Sequence, residues 1–476
     1  MMLKVCHRAA LSALKARSSM PITRNFTFAC FALLALTAFS GQAFATYAVV
    51  YPVGLPCTPP NAPTSPVAAH TFNTIQSAVT ASKAGTIIQI CPGTYPEQVA
   101  IDKNLTIEGV ADGTTQDAAV ILPPAGGLIV NAADFDNGGF PTAAQVFVED
   151  SALVTISNLT VDGTGMGIAA CTPDPVGILF QNASGTVNHV AVRNQALPPA
   201  DAGCQSGLGI FVQTATNFTS TVIVENSSVH NYNKNGITGN DPGTTLTVTG
   251  SYVQGSGPVP NIAGQNGIQL GFGAAGKINN NTVIDNIYFD PSVATVSDIL
   301  LYDTANNSGI TVNTNTVGNS QVPIGLITYF DNPPNYGNGV TVNGNKIFGS
   351  SLGTPTPQYT ADSIDVCTNG NAITNNTIFN SDESAVHFDA SCGNLFGMGT
   401  NTGEDNVASG NTMVESQCAG LLDDWAGGGS NSYGTETYFT VPFPVASSAA
   451  SCPFVAGDAD TVRAKAKAAR KFSPVR

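Results

Sequence analysis

Apolar and polar positions alternate along this chain with a recurring six-residue unit: apolar, polar, small or Asn, a usually polar fourth slot, any residue, apolar. It reads ISNLTV at Ile156–Val161, VNHVAV at Val187–Val192, VENSSV at Val224–Val229 and VTGSYV at Val248–Val253. It continues as INNNTV (Ile278–Val283), VNTNTV (Val312–Val317), VNGNKI (Val342–Ile347) and ITNNTI (Ile373–Ile378), with a degraded copy, ASGNTM, at Ala408–Met413. Successive copies start 24 to 37 residues apart. A second short apolar strand follows each, usually opening on Gly or a small residue: GILF at Gly177, GIFV at Gly209, GITG at Gly236, GIQL at Gly267, DILL at Asp298, GLIT at Gly325, SIDV at Ser363, AVHF at Ala385 and GLLD at Gly420.

Two short strands per repeat, joined by Gly- and Asn-rich turns with no helix between, exclude a βαβ protein. A β-sandwich would not return the same side chain to the same slot. The pattern predicts an all-β fold: a single-stranded right-handed parallel β-helix of about nine coils stacked at about 4.8 Å, so that equal slots form ladders. The fourth slot supplies Asn281, Asn315, Asn345, Asn376 and Asn411. Asn tolerates the left-handed backbone of a tight turn, and stacked amides can bond along the ladder. The same ladders generate most of the N-x-S/T sequons, which therefore read as structural. Helical spacing over Thr74–Ser82, with Ile75, Ala78 and Val79 on one face, predicts an N-terminal capping helix. Strands are expected at once after it, at Thr86–Ile90, Val99–Ile101 and Leu105–Ile107.

The flanks divide the chain. Phe26 to Phe39 is an apolar run after Arg24, and Ala43-Phe44-Ala45 has the form of a signal-peptidase site. Residues 1–45 are expected to be a signal peptide, with translation from Met20 as a shorter variant, 46–83 an N-terminal extension with the capping helix, 84–425 the β-helix, and 426–476 a C-terminal segment with a basic tail. The product is expected to be secreted or periplasmic, a monomer with no membrane span. Eight cysteines remain beyond the leader and fall in local pairs: Cys57 with Cys91, Cys171 with Cys204, Cys367 with Cys392, and Cys418 with Cys452. Disulfides fit an oxidising compartment. Metal binding is the competing reading, but there is no C-x-x-C and no clustered histidine.

Charge narrows the partners. Between the leader and the tail basic residues Arg463, Lys465, Lys467, Arg470, Lys471 and Arg476, six basic residues face all 32 acidic ones, a balance of −26. Such a body repels nucleic acid, anionic membranes and polyanionic glycans unless a cation bridges them.

The segment FNTIQSAVTASKAGTIIQICPGTYPEQVAIDKNLTIEG, Phe72–Gly109, resembles the opening coil of the pectin-lyase-like superfamily, as in pectin methylesterases and NosD-like proteins: helix, strand, P-G-x-Y-x-E, strand, then L-T-I-x-G. With the later repeats the resemblance covers about residues 70–425 and implies a parallel β-helix. The family's catalytic motifs are not carried over. The Q-D, D-F-I-F-G and R-P-W segments of pectin methylesterases are missing, and so is the R-I-K of polygalacturonases, whose D-D alone could match Asp423-Asp424. The D-P-H-D of mannuronan epimerases is absent, and Arg193, the sole body arginine, sits in a ladder-end sequence rather than beside acidic ligands as in pectate lyases.

Chemistry could still sit on the second strands. With their apolar residues inward, the alternate ones point out. Early coils place Leu179, Gln181, Phe211 and Gln213 outward, whereas later coils place Tyr302, Tyr329, Asp365, His387, Asp389 and Asp424 there. Asp365 and Asp389 would lie roughly 8 Å apart, inside the roughly 6.5–9.5 Å window of inverting glycosidase carboxylates. Asp389 and Asp424 would share a slot on successive coils, close enough to raise one pKa. Asp365, His387, Asp389 and Asp424 are thus candidate catalytic residues, with Tyr302, Tyr329 and Trp425 as candidate sugar contacts. Two other readings stand beside this one: Ca²⁺ held by Asp365, Asp389 and Asp424 with no other cofactor, or plain solvated surface. The functional expectation is a protein that binds or hydrolyses a neutral or weakly charged polysaccharide. The alternative is a non-catalytic scaffold, adhesin-like or a NosD-like maturation partner.

Overall fold

The computed structural model describes residues 47–446 apart from 56, 58–69, 111–117, 136–137, 151, 258–262, 289–295, 329–336, 351–361, 391–402 and 425–429. The leader, the basic tail, Cys392, Cys452, Tyr329 and Trp425 lie outside the described residues.

The fold is a parallel β-helix. Three sheets of 14, 12 and 13 strands run the length of the coil stack, each strand hydrogen-bonded to its counterpart one coil away. Each coil therefore carries three strands, not two, and the 12-stranded sheet marks twelve coils rather than nine. The reason lies in the six-residue unit, which is not one strand but a corner. In ISNLTV, Ile156 belongs to the strand Leu153–Ser157 of the first sheet and Val161 to Thr160–Asp162 of the second. Between them Asn158 turns the chain at φ 55°. The sheets also run past the expected limits of 84 and 425. Tyr47–Val50 pairs with Thr86–Ile90 at the first end, and Ser432–Tyr433, Thr437–Phe439 and Phe443–Ala446 form a last coil at the other.

Slots repeat from coil to coil as the ladders require. In the third sheet Ile268, Ile299, Ile324, Ile364, Val386 and Leu421 stack in one column. Such columns build a single apolar core that runs from Ala48 to Leu421. The capping helix forms at Ile75–Ala81 and buries Ile75, Ala78 and Val79, with Thr74 as N-cap accepting from the Ser77 amide. An outer layer covers the third sheet as well. Leu179 and Phe211 pack with Ala144, Phe147, Val176 and Leu208, and Ala132, from a strand antiparallel to Phe140–Val148, joins them. The side chains read as outward do leave the core, but they enter this second layer instead of water.

The asparagine ladder exists, with a different division of labour from the one expected. The left-handed residue is the third slot: Asn280, Thr314, Gly344, Asn375 and Gly410, at φ 58°, 55°, 67°, 55° and 73°. The fourth-slot asparagines are buried and tie the corners together. Each uses its backbone N–H and Nδ2 to donate to the Oδ1 of the asparagine one coil on, at 2.9–3.0 Å, from Asn281 through Asn315, Asn345 and Asn376 to Asn411. Each Nδ2 also donates to a strand carbonyl of the preceding coil, as from Asn345 to Val312 at 2.8 Å. At the far end Glu436 takes both donors of Asn411.

Disulfides join Cys57 to Cys91 and Cys171 to Cys204, as expected. Cys367 and Cys418 are also disulfide-bonded. Lys234 is fully buried, its Nζ donating to the Gly264 carbonyl at 2.5 Å, and burial lowers its pKa from 10.5 to about 7.

Two outcomes follow from these contacts. Asn345→Ala strands buried donors on Asn315 and removes the tie to Val312. It should cost about 3 kcal/mol, read as a lower urea midpoint, while a change under about 0.5 kcal/mol would mean that the ladder is ornamental. For Lys234 the folded pKa is depressed, so its contribution to stability is fully present above 10.5 and is lost as the pH falls through about 7. Lys234→Met should flatten that slope in melting temperatures taken from pH 10.5 down to 7.

Candidate active site

The third sheet changes chemistry over its later coils. Ile324–Ile327, Ile364–Val366, Ser384–Phe388 and Ala419–Asp423 are neighbouring strands, and Gly325, Asp365, His387 and Leu422 stack in register. Val366 and Phe388 occupy core slots on either side of these positions. That inward packing turns Asp365 and His387 away from the core. The next outward positions are Cys367, Asp389 and Asp424, whose backbone N–H groups donate to Leu326, Val366 and Phe388 respectively.

The residues named from sequence do converge. Three overlapping groups bring ligand-type atoms within 4.8 Å of one another: Asp362, Asp365 and His387; Asp365, Cys367 and Asp389; His387, Asp389 and Asp424. His387 is the hub. Its Nδ1 lies 2.9 Å from Asp362 Oδ2 and its Nε2 3.5 Å from Asp424 Oδ2. Asp362 is in turn held by the backbone N–H of Ser384 at 3.2 Å and by the Ser384 hydroxyl. Burial alone would strip the proton from His387, but the charges of Asp362 and Asp389, with hydrogen bonds to Asp362 and Asp424, hold its pKa well above the usual 6.5.

Several expectations need correcting. Asp365, His387 and Asp389 are not solvated surface: they are 1, 5 and 0% exposed. The Asp424 side chain, at 15%, is the member that reaches solvent. Nor does the roughly 8 Å spacing of Asp365 and Asp389 survive. That figure came from backbone spacing, whereas the side chains lean together and bring carboxylate oxygens within 4.8 Å. Tyr302 is 1% exposed and packs with Leu300, Ile327, Cys367 and Phe272, so it contributes to the outer layer and is not a sugar platform.

Asp362 was missed. It immediately precedes the recognised strand at Ser363. Its one signal was position, for it shares a slot with Ser384 on the next coil, as the Ser363 N–H to Ser384 carbonyl bond shows.

The chemistry of the donors is oxygen-rich. Cys367 is committed to a disulfide, which leaves carboxylates and one imidazole, and carboxylate oxygens suit Ca²⁺. No lysine or arginine occurs between Lys346 and Arg463, so His387 is the local counter-charge among the described residues. Asp424, beside the imidazole, is the edge of the cluster that meets water.

No family model matches the chain, and no curated protein matches it. Solved structures do. A substituted catalytic domain of a GH87 alpha-1,3-glucanase in complex with tetrasaccharides superposes with a TM-score of 0.55 at 12% identity over 80% of this chain and 65% of that one. A variant of such a domain in complex with nigerose gives 0.51 at 12% identity, over the same shares of the two chains. A GH136 lacto-N-biosidase from Eubacterium ramulus gives 0.51 at 10%, over 83% of this chain and 68% of that one. The chain thus spans just under two thirds of the GH87 domains. At these identities the likeness is one of fold, a parallel β-helix.

The buried pair at the hub sets an outcome. His387→Leu leaves the Asp362 carboxylate buried without its imidazole and should destabilise the protein by about 3 kcal/mol, measured by urea unfolding. A loss under about 0.5 kcal/mol would show that the pair contributes nothing.

Proposed function

We propose that this is an exported, carbohydrate-active β-helix protein that binds or hydrolyses a neutral or weakly charged polysaccharide over the later coils of the third sheet. The observation that carries the reading is the convergence of Asp365, Asp389, Asp424 and His387 on successive strands of one sheet. The negative balance of the body disfavours polyanionic glycans. The fold is one on which GH87 and GH136 glycoside hydrolases are built, and the opening coil resembles that of the pectin-lyase-like proteins. The disulfides agree with export.

In this reading Asp424 meets the sugar. His387, held protonated by Asp362 and Asp389, orients Asp424. Glycoside hydrolysis needs a second carboxyl group that reaches the sugar, and the buried Asp389 does not supply one, so binding at Asp424 is the half that the geometry supports more directly. Asp389 instead positions His387 through its charge and so acts on Asp424 indirectly.

The test is reducing-sugar release and pull-down with a panel of neutral polysaccharides, including α-1,3-glucan, dextran and laminarin. The wild type should cleave or bind at least one. Asp424→Asn should lower cleavage at least about 100-fold, and Asp389→Asn should shift the pH profile. Binding without cleavage, lost in Asp424→Asn, assigns the binding half of the proposal. Neither cleavage nor binding, or an Asp424→Asn variant that equals the wild type in both, overturns it.

A further inference from the structure

Far from the carboxylate cluster, the corner between the first and second sheets carries a hollow of about 430 Å³. It spans three coils. Its rim includes the left-handed residues Asn226, Gly250 and Asn280, at φ 50°, 61° and 58°, and its lining includes Ser227 and Ser251. These serines stand in the fourth slot just before the asparagines begin. Ser251 already takes part in the ladder, its N–H donating to Asn281 Oδ1 at 2.9 Å, and Ser227 N–H donates to Ser251 Oγ at 3.2 Å. Gly250 opens the middle of the rim, since a Cβ there would sit 2.8 Å from Asn226 Oδ1.

One wall is an aromatic ring. Tyr252 is 39% exposed and stands in the column Ser228, Tyr252, Thr282, Thr316, Lys346, Thr377, where it is the one aromatic residue. The ring is steadied from behind. Its hydroxyl donates to Gln254 Oε1 at 3.0 Å, and Gln254 Nε2 donates to Asp285 Oδ2 at 2.8 Å. A fixed ring with an open face beside side-chain amides and hydroxyls is the surface that a pyranose recognises: its C–H face packs on the aromatic and its hydroxyls bond the polar rim. The volume falls in the roughly 300–1,000 Å³ range of small-molecule sites. No cation lines it, and Asp285 lies behind the ring, so an anionic sugar is disfavoured.

We propose that this hollow is a second glycan subsite, for a neutral sugar unit, centred on Tyr252. It draws its substrate class from the reading above but occupies a different face, five coils from Asp424, or about 24 Å along the axis. Its role is to hold a polysaccharide chain to the protein while another stretch lies at Asp424.

The test is native affinity electrophoresis of the full chain in gels containing dextran, laminarin or soluble α-1,3-glucan oligosaccharides, in the Asp424→Asn background so that the first site is disabled. That protein should still be retarded by at least one glycan. Adding Tyr252→Ala should weaken the apparent affinity at least tenfold, whereas Tyr252→Phe, which keeps the ring, should retain most of it. Gly250→Asn, compatible with the left-handed backbone, should fill the hollow and weaken binding with Tyr252 untouched, which covers the case of a Tyr252→Ala variant that fails to fold. The proposal falls if Asp424→Asn alone abolishes all retardation, or if folded Tyr252→Ala and Gly250→Asn proteins migrate as their parent does. The first result would leave the Asp424 reading standing. A wild type that neither binds nor cleaves any glycan would remove both.

Discussion

A chain turn that stacks on the one below must satisfy the amides of its corners as well as those of its strands. Strand amides find partners automatically, because parallel strands one coil apart present matched donors and acceptors. At the corners the third-slot amides still reach a backbone carbonyl one coil on, as Thr314 N–H reaches Asn343, but the fourth-slot amides do not. The buried asparagines solve this. From Asn315 on, each supplies an Oδ1 that receives two donors from the preceding coil and an Nδ2 that returns a bond to a strand carbonyl there. Once the corner is fixed, the registers of the first and second sheets are fixed with it, and the apolar columns of the third follow.

The fold was legible because this constraint writes itself into sequence. A slot that must hold Asn for reasons of hydrogen bonding holds it in every later coil, at Asn281, Asn315, Asn345, Asn376 and Asn411, and the apolar residues flanking it keep their spacing. What stayed hidden was the meaning of the unit. A short alternating run reads as a strand, and nothing local shows that Ile156 and Val161 lie on different sheets. The division between turning residue and bonding residue was hidden too, since Asn fills both the third and fourth slots in INNNTV and ITNNTI.

The site was legible in its membership and not in its environment. Alternation along Ser384–Phe388 puts His387 on the opposite side from Val386 and Phe388, and the fold bears this out. Alternation says which side of the sheet a residue is on. It does not say whether that side is wet, and here the outer side has its own packed layer of Leu300, Tyr302 and Ile327. The acids on that side are likewise buried, in a network around one imidazole. Asp362 escaped notice because a residue just before a strand carries no alternation signal.

Glu436 gives the ladder an ending of a particular kind. An asparagine in that slot both accepts and donates, so each coil hands a demand for acceptors to the next. A carboxylate accepts both donors of Asn411 and has no amide N–H of its own to pass on. The series is therefore directional, and its terminus is spelled in the side chain itself. Gene-level slippage that added or removed a whole asparagine coil would leave every corner bonded, whereas a coil appended after Glu436 would receive only a backbone N–H, the side-chain donor being gone. The asparagine ladder thus carries a marked end, and its length can vary in the middle without loss of a corner bond.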